Sequence, residues 1–103
     1  MTKPVVVLIE DDPVARRLLR TILLSQGYRL FEAATGVNGL AEAASRRPDV
    51  VVVDLGLPDM DGIEVIRRLR EWTSVPVVVG DGAAPALRQV LNEHGPVIAP
   101  RQS

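Results

Sequence analysis

At 103 residues the chain has the length of one domain, and with 47% hydrophobic residues it can bury a core. A formal net charge of −1 offers no basic surface to nucleic acid, the lack of cysteine excludes a disulfide framework and thiol chemistry, and three aromatics (Tyr28, Phe31, Trp72) are too few for base stacking. The apolar runs are far shorter than a membrane span, and Glu10-Asp11-Asp12 interrupts the one stretch that starts like a signal peptide, so the reading is a cytoplasmic protein.

Strands and helices alternate along the chain. Residues 5–10 (VVVLIE) read as a first strand. Asp12 is placed to cap a helix that opens with Pro13, carries an apolar stripe of Val14, Leu18, Ile22 and Leu23, and stops at Gly27. Residues 28–33 read as a second strand and Thr35-Gly36 as a turn. Residues 37–46 form a short helix with Leu40, Ala41 and Ala44 on its apolar side. Pro48-Asp49 breaks the chain before a third strand, residues 50–54, whose four valines suit a strand buried on both faces. Asp61 caps a helix over residues 62–72, with Ile63, Val65, Ile66 and Leu69 apolar and Arg67, Arg68 and Arg70 solvated. Residues 75–79 are a fourth strand, Gly80-Asp81-Gly82 a loop, 85–94 a helix and 97–99 a weak fifth strand. Such a βαβαβαβαβ order argues for a single open α/β sheet with right-handed crossovers.

In sheets of this kind ligands bind beyond the carboxyl ends of the strands. Asp54 ends the third strand and Glu10-Asp11-Asp12 ends the first, so two strand ends deliver three or four carboxylates to one place. Crowded carboxylates repel unless a hard cation joins them, and Mg²⁺ takes oxygen ligands. The residues therefore point to a Mg²⁺ site. Asp12 is better explained as a helix cap than as a ligand, and Asp59 and Asp61 as turn and cap residues. The Arg16-Arg17-Arg20 cluster reads as a solvated helix face, and His94 as a surface residue near a helix C-terminus.

Glu10-Asp11-Asp12, Asp54 with Pro58 four residues on, Asp61-Gly62 and Val75-Pro76-Val77 occur together and in this order. This set resembles the receiver domain of two-component response regulators, closely over residues 4–79 and divergently over 80–103. Within that family, the stretch from Asp54 to Glu64 and Trp72 are most similar to KdpE-type regulators. The resemblance implies a flavodoxin-like sheet of order 2-1-3-4-5 and a signalling domain rather than an enzyme. It implies that Asp54 accepts a phosphoryl group from a sensor histidine kinase. Asp11 would bind Mg²⁺ directly, Glu10 through water, and Gly56 through its carbonyl.

The same resemblance exposes departures. The family carries Ser or Thr at the end of the fourth strand and Lys-Pro at the end of the fifth. Asp81 and Ala99-Pro100 stand at those positions, and Lys3 is the only lysine in the sequence. An ion pair at about 4 Å is worth roughly 4 kcal/mol at an effective dielectric near 20. Half of that amounts to about 30-fold in rate, so phosphorylation is expected to be slow and weakly coupled. Arg101 is a poor substitute cation. The last helix of the fold is expected to be missing, leaving a sheet face to be covered by a homodimer or another partner. Without a DNA-binding segment, output would pass through protein contacts. Rival readings are a phosphorylation-independent pseudo-receiver acting as a protein interaction module, a fragment of a longer regulator, and a metal-dependent hydrolase, the last lacking a poised general base.

Overall fold

The computed structural model describes residues 3–79. The expected elements at 80–82, 85–94 and 97–99, the expectation of a missing last helix, and Asp81, His94, Ala99 and Arg101 lie outside the described residues. Within them the elements run β1 (Val5–Ile9), α1 (Pro13–Ser25), β2 (Arg29–Ala33), α2 (Gly36–Arg46), β3 (Val50–Val53), α3 (Gly62–Leu69) and β4 (Val77–Val79).

The four strands form a parallel sheet in the order β2-β1-β3-β4. This is the described part of the flavodoxin-like order. All four residues of β3 are buried, as a run of valines covered on both faces requires. The pleat sends alternate side chains to opposite faces. Val6, Leu8, Val50, Val52 and Val78 pack with Leu19, Ile22 and Leu23 of α1. Val7, Ile9, Val51, Val53 and Val77 pack with Ala43 of α2 and with Val65, Ile66 and Leu69 of α3. Among the described residues, one helix thus covers one face and two cover the other.

The helix starts follow their caps. Asp12 accepts from the N–H of Val14 at 3.2 Å, with Pro13 at the first helical position. Thr35 accepts from Asn38 at 3.1 Å, and Asp61 from Ile63 at 2.9 Å. Gly27 follows α1 in the left-handed region (φ 87°), which suits glycine. Arg47 takes the same role after α2 with φ 48°, although it carries a Cβ.

The apolar stripes differ in part from the sequence reading. Val14 and Leu18 are exposed (76% and 49%), and Leu19 joins Ile22 and Leu23 against the sheet. At 3.6 residues per turn, Leu18 and Val14 fall beyond the edge of the 19-22-23 stripe. In α2 the buried residues are Gly36, Gly39 and Ala43, with Leu40 half-buried and Ala41 and Ala44 exposed. The helix approaches β1 too closely for a side chain: a Cβ on Gly39 would lie 2.3 Å from Ile9 Cδ1. In α3, Ile63 is exposed, and the helix ends at Leu69 rather than at residue 72. There the N–H groups of Glu71 and Trp72 bond three residues back, to Arg68 and Leu69, tightening the chain into a turn. The fourth strand begins at Val77 rather than at residue 75. Pro76 has no N–H for the ladder, although its carbonyl accepts from Val51 at 3.0 Å.

Candidate functional site

The register that pairs Ile9 with Val53 brings the next residues of both strands, Glu10 and Asp54, to one end of the sheet. Both strand ends are tied in. Glu10 N–H donates to Ala33 O at 3.0 Å, and Asp54 N–H donates to Ile9 O at 2.9 Å. Glu10, Asp11 and Asp54 each place a carboxylate oxygen within 4.8 Å of the others. Glu10 is buried (7% exposed), Asp54 half-buried and Asp11 exposed. These are three of the residues that the sequence proposed for a metal. Asp12 caps α1, as its place before Pro13 implies.

Burial pushes the Glu10 carboxyl above its ordinary range, and the like charges of Asp54, Asp11 and Asp12 push the same way. The Asp12 N–H, 3.2 Å from Glu10 Oε2, opposes them. A cluster of hard oxygen donors with a buried, charge-stressed member suits a small divalent cation. The residues present therefore fit Mg²⁺.

After Asp54 the chain turns through Leu55 and Gly56 to the cap of α3. Gly56 is exposed and forms an antiparallel bridge with Asp61. A Cβ there would meet Asp54 Oδ2 at 3.8 Å, an ordinary contact. Gly62 is different, because a Cβ would lie 2.5 Å from Asp54 O and 2.8 Å from Leu55 Cα. Its N–H donates to Leu55 O at 3.0 Å, so the loop carrying Asp54 rests directly on the start of α3.

Three contributions near the site are absent from the sequence reading. Asp59 is more than a turn residue: its carboxylate accepts from the N–H groups of Gly36 and Val37 at the start of α2. Arg16 and Arg20 are not merely solvated, because both pair with Glu32 of β2. Those pairs hold the Glu32 carboxyl below its ordinary range, the Arg20 hydrogen bond foremost. Polar contacts between distant elements leave no periodic signal; the only hint was arginines one turn apart on a helix preceding a strand that carries a Glu.

A model of the response regulator receiver domain matches residues 6–98. The chain belongs to that family. This receiver domain is 57% identical over 74 residues to the KDP operon transcriptional regulatory protein KdpE of Escherichia coli K12, covering 72% of this chain and 33% of that protein. It is 49% identical over 74 residues to the KdpE of Mycobacterium tuberculosis H37Rv, with the same coverage. The chain thus spans about a third of the length of these relatives. Among solved structures it is similar to the receiver domain of sensor histidine kinase PA1611 from Pseudomonas aeruginosa PAO1. That match has a TM-score of 0.74 and 28% identity and covers 85% of this receiver domain and 75% of the other chain. The PA1611 structure holds a magnesium ion in its active site cleft. Among the described residues, no helix of the receiver domain is long and apolar enough to cross a membrane.

Proposed function

We propose that Asp54 accepts a phosphoryl group in His-to-Asp signal transduction. The observation that carries this reading is the convergence of Glu10, Asp11 and Asp54 at the ends of β1 and β3, with donor atoms within 4.8 Å. An Asp54 carboxylate oxygen forms a bond to phosphorus as the bond from phosphorus to the donor's imidazole nitrogen breaks. The product is an acyl phosphate. Glu10, Asp11 and Asp54, with the carbonyl of Gly56, would hold Mg²⁺. When bound, the ion neutralises the crowded carboxylates and the charge on the transferring oxygens. The magnesium in the PA1611 receiver supports that assignment. The phosphoryl source would be a sensor histidine kinase.

The positions that resemble the family's Ser/Thr and Lys carry Asp81 and Ala99, so the transfer would be slow and weakly coupled. Those two residues also favour a second reading, a pseudo-receiver that binds partner proteins without phosphorylation, a second copy of the chain being one candidate. Phosphoryl transfer from a small phosphoramidate in the presence of Mg²⁺ separates the two. Hydroxylamine-labile phosphate that vanishes on chelation of the metal supports the first reading. Its absence from folded, Mg²⁺-binding protein supports the second.

A further inference from the structure

Arg16 closes the first turn of α1, its N–H donating to Asp12 O at 2.9 Å. A cation so near the positive end of a helix is electrostatically disfavoured. Its guanidinium is nevertheless half-buried and turned back over the loop between β1 and α1. Nη1 donates to the carbonyl of Glu10 at 2.9 Å and reaches that of Asp11 at 3.5 Å, while Nε lies 3.3 Å from Glu32 Oε1. Glu32 is in turn braced by Arg20, which donates to both its carboxylate oxygens at 2.6 and 2.7 Å.

We propose that Arg16 is a positioning residue that sets the Glu10 and Asp11 carboxylates for the divalent cation, an inference that rests on the phosphoacceptor reading. The two carbonyls it holds belong to the residues whose side chains must converge on Asp54. Rotation of either peptide unit would swing its carboxylate away. Glu32 fixes the guanidinium from the neighbouring strand, so the loop is clamped from outside the acidic cluster, with Glu32 as the side-chain ion-pair partner of Arg16 among the described residues. The planar fork of donors is what permits one side chain to serve Glu32 and the two carbonyls together, which a lysine ammonium cannot reproduce.

The test is Mn²⁺ affinity, followed by water proton relaxation, in the wild type and in Arg16→Ala, Arg16→Lys and Arg20→Ala, with amide exchange of Asp11 and Asp12 measured without metal. Arg20→Ala removes the brace on Glu32 but no contact to the loop, so it reports the part of the effect that passes through Glu32. Arg16→Ala should weaken Mn²⁺ binding about tenfold, as loss of outer-shell support commonly does. It should also speed exchange at Asp11 and Asp12. Arg16→Lys should recover only part of the affinity, and Arg20→Ala should lose less than Arg16→Ala does. Wild-type affinity in a folded Arg16 variant, or an equal loss in Arg20→Ala, overturns the role of Arg16 alone. If Arg16→Ala does not fold, Arg16→Lys decides, since full wild-type affinity there overturns the proposal. A wild type that binds no Mn²⁺ overturns the phosphoacceptor reading and this inference with it.

Discussion

The carboxylate of Asp59 accepts a hydrogen bond of 2.7 Å from the backbone N–H of Gly36, 23 residues earlier in the chain. Its other oxygen takes the N–H of Val37 at 2.9 Å. The loop that follows Asp54 is thereby fastened to the start of α2, where free N–H groups and the helix dipole favour an anion. Those two N–H bonds hold the Asp59 carboxyl below its ordinary value of 3.8. A depressed carboxyl stabilises the fold above its unfolded pKa and loses that contribution as pH falls through the folded one. Asp59→Ala should lower the melting temperature at pH 7 more than Asp59→Asn, which keeps one acceptor. The gap between wild type and Asp59→Asn should narrow below about pH 3.8. Thermal unfolding followed across pH 2–7 checks both statements.

Glu64 gives a second pH signature. Hydrogen bonds from Arg67 and Arg68 bring its carboxyl from 4.5 down to about 2. Its contribution is complete above pH 4.5 and is lost progressively toward about 2. The pairs lie on the exposed face of α3, so salt should weaken them. Glu64→Gln should flatten the acid limb of the stability curve at low ionic strength and change little at 1 M salt.

The contact beneath Asp54 makes Gly62 sensitive. A methyl group cannot sit 2.5 Å from Asp54 O without moving the loop or the helix start. Gly62→Ala should cost about 1–3 kcal/mol, the usual range for overpacking. It should also displace the Asp54 backbone, so the rate of phosphoryl acceptance should fall further than in Gly56→Ala, where the new Cβ has room. Denaturant unfolding and transfer rates on the two variants test the contrast.

Arg47 offers a gain instead. It holds φ at 48°, and a residue with a Cβ pays roughly 1–2 kcal/mol in that region. Glycine's extra freedom in the unfolded chain offsets about 0.5–1 kcal/mol of the relief. Arg47→Gly should therefore raise stability by about 0.5–1 kcal/mol. Urea unfolding measures the difference.

Much of this architecture was legible because burial writes itself into strands. The valine runs of β1 and β3 announced a parallel sheet, and the acidic residues after them announced where it would carry chemistry. Three caps, Asp12, Asp61 and the glycine after α1, were equally plain. The buried face of α2 was not, because it is built from Gly36 and Gly39, residues that signal nothing in a search for apolar side chains. Val14, Leu18 and Ile63 misled for the opposite reason, being apolar and outside the stripe that packs. The supports of the site, Arg16 with Glu32 and Asp59 with Gly36, join elements far apart in sequence, and only the fold reveals them.

In the proposed function, Asp54 is a phosphoacceptor served by a divalent cation on Glu10 and Asp11. Intact mass of the wild type and of Asp54→Asn, after incubation with a small phosphodonor with and without Mg²⁺, tests it most directly. One phosphoryl adduct is expected on the wild type with Mg²⁺, and none on Asp54→Asn or without the metal. An adduct that persists in Asp54→Asn, or a folded, Mg²⁺-binding wild type that never gains one, would contradict it.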